Sequence, residues 1–108
     1  MTTYYYILAS QHFLLDEEPL DEVFRERTRN YKETNKKIDF WLIRQPAFIE
    51  ILEFAEIKSK CPQPSVAIIS LNSEFITWLK LRLEYVIKGE FEAPSGSIPN
   101  PLASLETV

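Results

Sequence analysis

The chain has 108 residues, of which 13% are aromatic, a formal net charge of −4 and a single cysteine. That length fits one domain around one modest core, the aromatic content excludes a disordered chain, and Cys61 alone excludes an intramolecular disulfide. The acidic balance argues against general nucleic-acid binding, which needs a basic face across the whole domain.

The charge is unevenly laid out. Arg25, Arg27, Arg29, Lys32, Lys36 and Lys37 crowd one segment against only Glu26 and Glu33, leaving the remainder more acidic than the total. A solvated helix face is the ordinary reading of such a run, and an acidic protein surface or an anionic lipid surface is the functional one. The longest charge-free run, Met1 to Leu15, is shorter than the roughly 20 apolar residues a membrane-spanning helix needs. At most a peripheral membrane association is expected.

In chain order, Thr3 to Ser10 is dense in aromatic and branched residues and reads as a first strand. His12 to Glu18 is a connector. A first helix is expected from Pro19 to Thr34, with Pro19 in its first turn, Asp16 to Glu18 supplying negative charge at its start, and Leu20, Val23, Phe24 and Tyr31 as its buried stripe. Its arginines are assigned to the solvated faces. Ile38 to Arg44 reads as a second strand, and alternation groups Asp39, Trp41 and Ile43 on one face and Ile38, Phe40 and Leu42 on the other. Pro46 opens a second helix from Ala47 to Lys58, with Phe48, Ile51, Leu52 and Ala55 toward the core. Ile49, Phe54 and Ile57 fall off that face, so either the helix is covered on more than one side or those three form a secondary candidate for a partner-binding strip. Ser65 to Leu71 is an uninterrupted apolar strand that belongs at the sheet centre.

Asn72 or Ser73 caps a third helix that the helical period extends to Gly89, with Gly89 as its C-terminal cap. Phe75, Ile76, Leu79, Leu83, Val86 and Ile87 form its apolar arc, flanked by Trp78 and Tyr85, so most of its circumference is expected to be covered. Arg82 falls inside that arc, where a guanidinium needs a carboxylate or a functional reason to be there. Asp39 is the matching anomaly on the second strand. Each is the simplest partner for the other, either as a structural ion pair or as part of a rim where Phe40, Trp41, Trp78 and Tyr85 supply aromatic anchors around an arginine. The residues thus give a β-α-β-α-β-α order, three strands and three helices in residues 1–92, followed by a Pro-rich C-terminal arm over 93–108. Strand order and direction stay open at this level.

Catalytic motifs are absent from the sequence. The single histidine, His12, has no nucleophile in a recognisable arrangement, and there is no Glu-x-x-His, glycine-rich phosphate loop or nucleophile elbow. No metal or cofactor site is expected. The aromatic excess would also suit a pocket for a flat hydrophobic ligand, although core packing accounts for most of it.

Five runs carry a resemblance: TTYYYILASQ (Thr2 to Gln11), IDFWLIRQPAF (Ile38 to Phe48), CPQP followed by AIIS (Cys61 to Ser70), FITWLKLRLEYVIKGEFEAPS (Phe75 to Ser95) and IPNPLASL (Ile98 to Leu105). They resemble the small accessory protein of the aerobic magnesium-protoporphyrin IX monomethyl ester oxidative cyclase of cyanobacteria and plastids. The resemblance implies a non-catalytic subunit in chlorophyll biosynthesis, at the step that forms the isocyclic ring of protochlorophyllide. Its implied partner is the di-iron catalytic subunit, with other chlorophyll-biosynthesis enzymes as further candidates and the cyanobacterial cytoplasm or plastid stroma, near the thylakoid membrane, as its location. It implies an interaction surface at Asp39, Phe40 and Arg82 and a small α+β sandwich with an antiparallel sheet. The alternative is a protein that presents or receives the porphyrin itself.

Overall fold

The computed structural model describes every residue except 18, 19, 84, 107 and 108, and the backbone alone of Glu17. Pro19, Glu18 and Glu84 therefore lie outside the described residues, and with them the proline-in-first-turn expectation. Four strands form one antiparallel sheet: β1 (Thr2–Ser10), β2 (Phe40–Arg44), β3 (Ser65–Ser70) and β4 (Ile87–Ala93), in the order β2-β3-β1-β4. The class is α+β with an antiparallel sheet, but the sheet has a fourth strand that the helical period concealed.

β3 is buried at every position, as its unbroken apolar run requires of an inner strand. Alternation along the strands builds two cores. Ile7, Ala9, Phe40, Val66 and Ile68 face α1 (Leu20–Glu33) and α3 (Ser73–Arg82), while Tyr6, Leu8, Ala67, Ile69 and Phe91 face the other side. That second side is covered by the segment after Pro46 and by Ile98 and Leu102 of the C-terminal region.

α1 ends in a Schellman motif. Asn35 takes a left-handed φ of 57°, and the N–H groups of Asn35 and Lys36 donate to the carbonyls of Lys32 and Tyr31, so the last carbonyls of the helix find donors without a continuing turn. α3 is capped by Asn72, whose side-chain oxygen accepts from the N–H groups of Glu74 and Phe75.

The expected single helix over Ala47 to Lys58 is instead two 3-10 turns, Ala47–Glu50 and Leu52–Phe54, and a short α2 (Ala55–Ser59). A continuous helix would set Phe48 and Phe54 about 120° apart around its axis, too far to share one face. The chain becomes extended at Ile51 (φ −74°, ψ 151°), and both rings then meet 5.5 Å apart in the second core. Ile49 and Phe54 are buried there and Ile57 packs against it, so the proposed partner strip belongs to the interior. Leu52, expected in the core, is 90% exposed.

The second correction concerns the third helix. It stops at Arg82 because Leu83 turns extended (φ −109°, ψ 120°), and the chain re-enters the sheet as β4, paired with β1 from Thr2↔Ala93 to Leu8↔Ile87. Gly89 is a strand residue lying under the ring of Tyr6 and caps nothing. Among the described residues no helix is long and apolar enough to cross a membrane.

The segment Ala103 to Leu105 is held on the sheet's β2 side. Ala47 donates to the Ala103 carbonyl, Leu105 donates to Gln45, and the Ser104 hydroxyl donates to the Arg44 carbonyl.

Candidate partner-binding face

Asp39 and Arg82 do not meet. Asp39 precedes β2, and its carbonyl accepts from Leu71 N–H and the Ser70 hydroxyl, which anchors it beside the N-terminal end of α3. Arg82 is the last residue of that helix, roughly 14 Å farther along at 1.5 Å per residue. The alternation that placed Asp39 with Trp41 also fails, because Asp39 lies outside the strand. Its carboxylate turns toward α1, where it accepts a 2.7 Å hydrogen bond from the Tyr31 hydroxyl with Lys36 Nζ at 3.9 Å.

The arginine set among aromatics is Arg27. Its guanidinium lies 3.8 Å from the centroid of Phe75 and 5.5 Å from that of Phe40, and Nη2 donates to Tyr31 Oη at 2.9 Å. Arg27 Nε is buried with no acceptor. A desolvated donor left unmade costs about 1–3 kcal/mol, offset here in part by cation–π attraction to Phe75. This corrects the assignment of every helix-one arginine to solvent. The signal was available: Leu20, Val23, Phe24 and Tyr31 bracket position 27 in angle, so Arg27 occupies the middle of the buried stripe.

Phe40 is 7% exposed. It stacks on Phe24 at 5.7 Å and meets Tyr31 and Phe75 edge-on at 5.5 and 5.7 Å. It supports the face from beneath. Trp41, next along the strand, points to the opposite side of the sheet and is not brought to this face. Tyr85 is 74% exposed in the loop after α3, its ring edge against Phe13.

A single line of contacts nevertheless joins Asp39 to Arg82: Asp39 to Tyr31, Tyr31 to Arg27, Arg27 to Phe75, Phe75 stacked on Trp78 at 6.3 Å, and Arg82 over Trp78 at 5.6 Å. Between α1 and α3 this line floors an open groove of about 810 Å³, lined by Glu22, Val23, Glu26, Arg27, Asn30, Phe75 and Trp78. At its far end Trp78, Leu81, Arg82 and Tyr85 stand exposed. The outer flank of α3, expected to be covered, is open.

The Ycf54 protein family model matches residues 2–93. The chain belongs to the Ycf54 family. A Ycf54-like protein of Synechocystis sp. is 63% identical over 106 residues, covering 98% of this chain and 80% of that one. The chloroplastic protein YCF54 of Arabidopsis thaliana is 39% identical over 95 residues, 87% of this chain and 44% of its own length. Among solved structures, the All0216 protein of Nostoc sp. PCC 7120 superposes with a TM-score of 0.95 at 70% identity, covering 97% of each chain. The Ycf54 protein of Synechocystis sp. PCC6803 superposes with a TM-score of 0.94 at 62% identity, covering 98% of this chain and 99% of that one. The family thus spans cyanobacteria and chloroplasts.

Among the described residues of this Ycf54-family chain no group of three or more His, Cys, Asp or Glu is placed to hold a metal. Cys61 is buried, and burial pushes its thiol pKa up, away from the thiolate form a nucleophile needs. Tyr31 is the hinge of the polar line, and Tyr31→Phe should lower stability by about 1–2 kcal/mol by stripping Asp39 and Arg27 of one partner each. Denaturant melts of the variant against wild type measure this directly.

Proposed function

We propose that this Ycf54-family protein is a non-catalytic accessory factor that binds and stabilises the di-iron catalytic subunit of magnesium-protoporphyrin IX monomethyl ester oxidative cyclase, in the cyanobacterial cytoplasm or plastid stroma. The observation that supports this reading is the exposed flank of α3. Trp78, Leu81 and Tyr85 are 46%, 81% and 74% exposed around an arginine stacked on a tryptophan. Soluble domains seldom leave large apolar side chains grouped in this way without a partner, and Trp, Tyr and Arg are the residue types that dominate interface energetics. Trp78, Leu81 and Arg82 are held on a regular helix, so that part of the flank is already ordered when a partner arrives.

The test is capture of the cyclase catalytic subunit by wild type, Arg82→Ala, Trp78→Ala and Asp39→Ala, with thermal unfolding recorded for each. Arg82→Ala and Trp78→Ala should weaken capture by at least about tenfold, a hot-spot loss, with melting nearly unchanged because both side chains are exposed. Asp39→Ala should lower melting as well, since it deprives Tyr31 of its acceptor. Full capture by both α3 variants would end the reading.

A second reading, a protein that presents or receives the porphyrin, draws support from the groove between α1 and α3, whose aromatic floor and volume of about 810 Å³ lie within the range of small-molecule sites. Saturable shifts in porphyrin absorbance on adding the protein, abolished by Trp78→Ala, would favour it.

A further inference from the structure

Among the described residues, the groove between α1 and α3 holds a guanidinium that no carboxylate pairs with directly. Arg27 lines it, its Nη2 is committed to the neutral Tyr31 hydroxyl, and its Nε has no acceptor. Glu26, which also lines the groove, is engaged instead by Arg29 at 2.8 Å. Asp39 is reached only through Tyr31. Phe75 and Trp78 supply the apolar floor, and Val23 and Asn30 stand on the α1 wall. Exposed Glu22, at the rim, is screened by solvent and biases the approach of an anion far less than the guanidinium at the floor.

We propose that this groove is a carboxylate-recognition site that takes an acidic side chain, an Asp or Glu flanked by an apolar residue, from the partner protein. The carboxylate meets the guanidinium of Arg27 while its apolar neighbour rests on Phe75 and Trp78. Because Nε is enclosed and one Nη2 proton goes to Tyr31, the contact falls to Nη1 and the remaining Nη2 proton, an end-on fork held in place by the aromatic rings. Two observations favour a protein side chain over a free small molecule. The groove is an open trough that leaves much of a bound small molecule in water, whereas ligand pockets bury most of it. It also runs, through Trp78, directly into the exposed flank of α3, so one partner surface covers both. The inference rests on the accessory-factor reading for its partner and adds the chemical group that the partner must present.

The test uses Arg27→Lys, which keeps the charge and loses the fork, together with the Arg27 Nε–H NMR resonance of the wild-type protein titrated with phenylacetate and, as neutral control, phenylacetamide. Arg27→Lys should weaken capture of the catalytic subunit by about tenfold, with melting close to wild type. Phenylacetate, but not phenylacetamide, should shift the Arg27 resonance saturably. Capture by Arg27→Lys equal to wild type overturns the proposal even if Arg82→Ala abolishes capture, in which case the accessory reading survives alone. If wild type captures nothing, or Arg27→Lys melts early, the titration decides: a phenylacetate-specific shift keeps the carboxylate site and its absence removes it. A saturable shift with the porphyrin monoester and none with phenylacetate makes the tetrapyrrole the occupant and overturns the side-chain proposal.

Discussion

Phe40→Ala should destabilise the protein by about 3–5 kcal/mol, the range for removing a buried aromatic ring, and lower the melting temperature by roughly 15–30 °C at this chain length. Phe40 is 7% exposed and touches Phe24, Tyr31 and Phe75, so its loss opens a void under the groove and frees the ring against which Arg27 is held. Partner capture should fall with it. The cause is the collapse of the support, since almost none of the side chain reaches the surface. Phe40→Leu separates the two explanations: it keeps most of the volume and should recover much of the stability. Capture by Phe40→Leu should follow its melting curve. Lost capture at full stability would instead mean that the ring itself touches the partner.

Gly89→Ala should cost about 1–3 kcal/mol, the usual penalty for overpacking a tight site, although it exchanges one small residue for another. A Cβ at Gly89 would stand 2.4 Å from the Tyr6 hydroxyl oxygen and 2.6 Å from the ring carbon that bears it. Tyr6 is 1% exposed, wedged among Phe48, Phe54 and Phe91, and has little room to withdraw. The penalty should shrink in a Tyr6→Phe background, where the closest atom is gone, and a double-mutant cycle reads that coupling. Equal penalties in both backgrounds would assign the cost to the strand backbone. Because Gly89 and Tyr6 belong to the sheet face opposite α1 and α3, folded Gly89→Ala should capture the partner as well as wild type does.

The same glycine shows where sequence reasoning reached and where it stopped. Phe75, Ile76, Leu79 and Leu83 keep the helical period, and the next apolar residue, Val86, happens to continue it. Extending the helix was therefore the cheapest local description. From Ile87 the text also alternates: Ile87, Gly89, Phe91 and Ala93 point to the core, while Lys88, Glu90 and Glu92 point to solvent. Pairing with β1 decides between the two patterns, and that pairing is a long-range fact which no window of a few residues contains. The Asn72 cap, the inner strand β3 and helix α1 were legible because each is written in adjacent residues.

The candidate face was legible in part. Arg82 and Asp39 are conspicuous in the sequence as polar residues in apolar text, but inferring that they pair assumed a distance that only the fold supplies, and the apolar arc around Arg82 is open to solvent. Arg27 was missed because a run of six cations looks like a wet face, and its place at the centre of the stripe was outweighed by its charge. The failure over residues 47–58 has the same root: helical spacing is a poor guide where Phe48 and Phe54 must converge on one cluster.

The sheet order also bears on how the chain is made. β1 is synthesised before the other three strands, yet it is an inner strand whose neighbours are β3 and β4, with Ser10 opposite Ser65 and Thr2 opposite Ala93. β2, the next strand to appear, pairs only with β3. Among the described residues no two strands within 1–64 are neighbours, so not one ladder can close until β3 has been synthesised, and β1 waits until residues 87–93 are made before its second edge is filled. Closing such distant pairs is entropically slow, and until then the aromatic run Tyr4 to Tyr6 is left without the strands that will cover it. For a nascent chain of this family, the interval between making the first strand and covering it is set by translation itself.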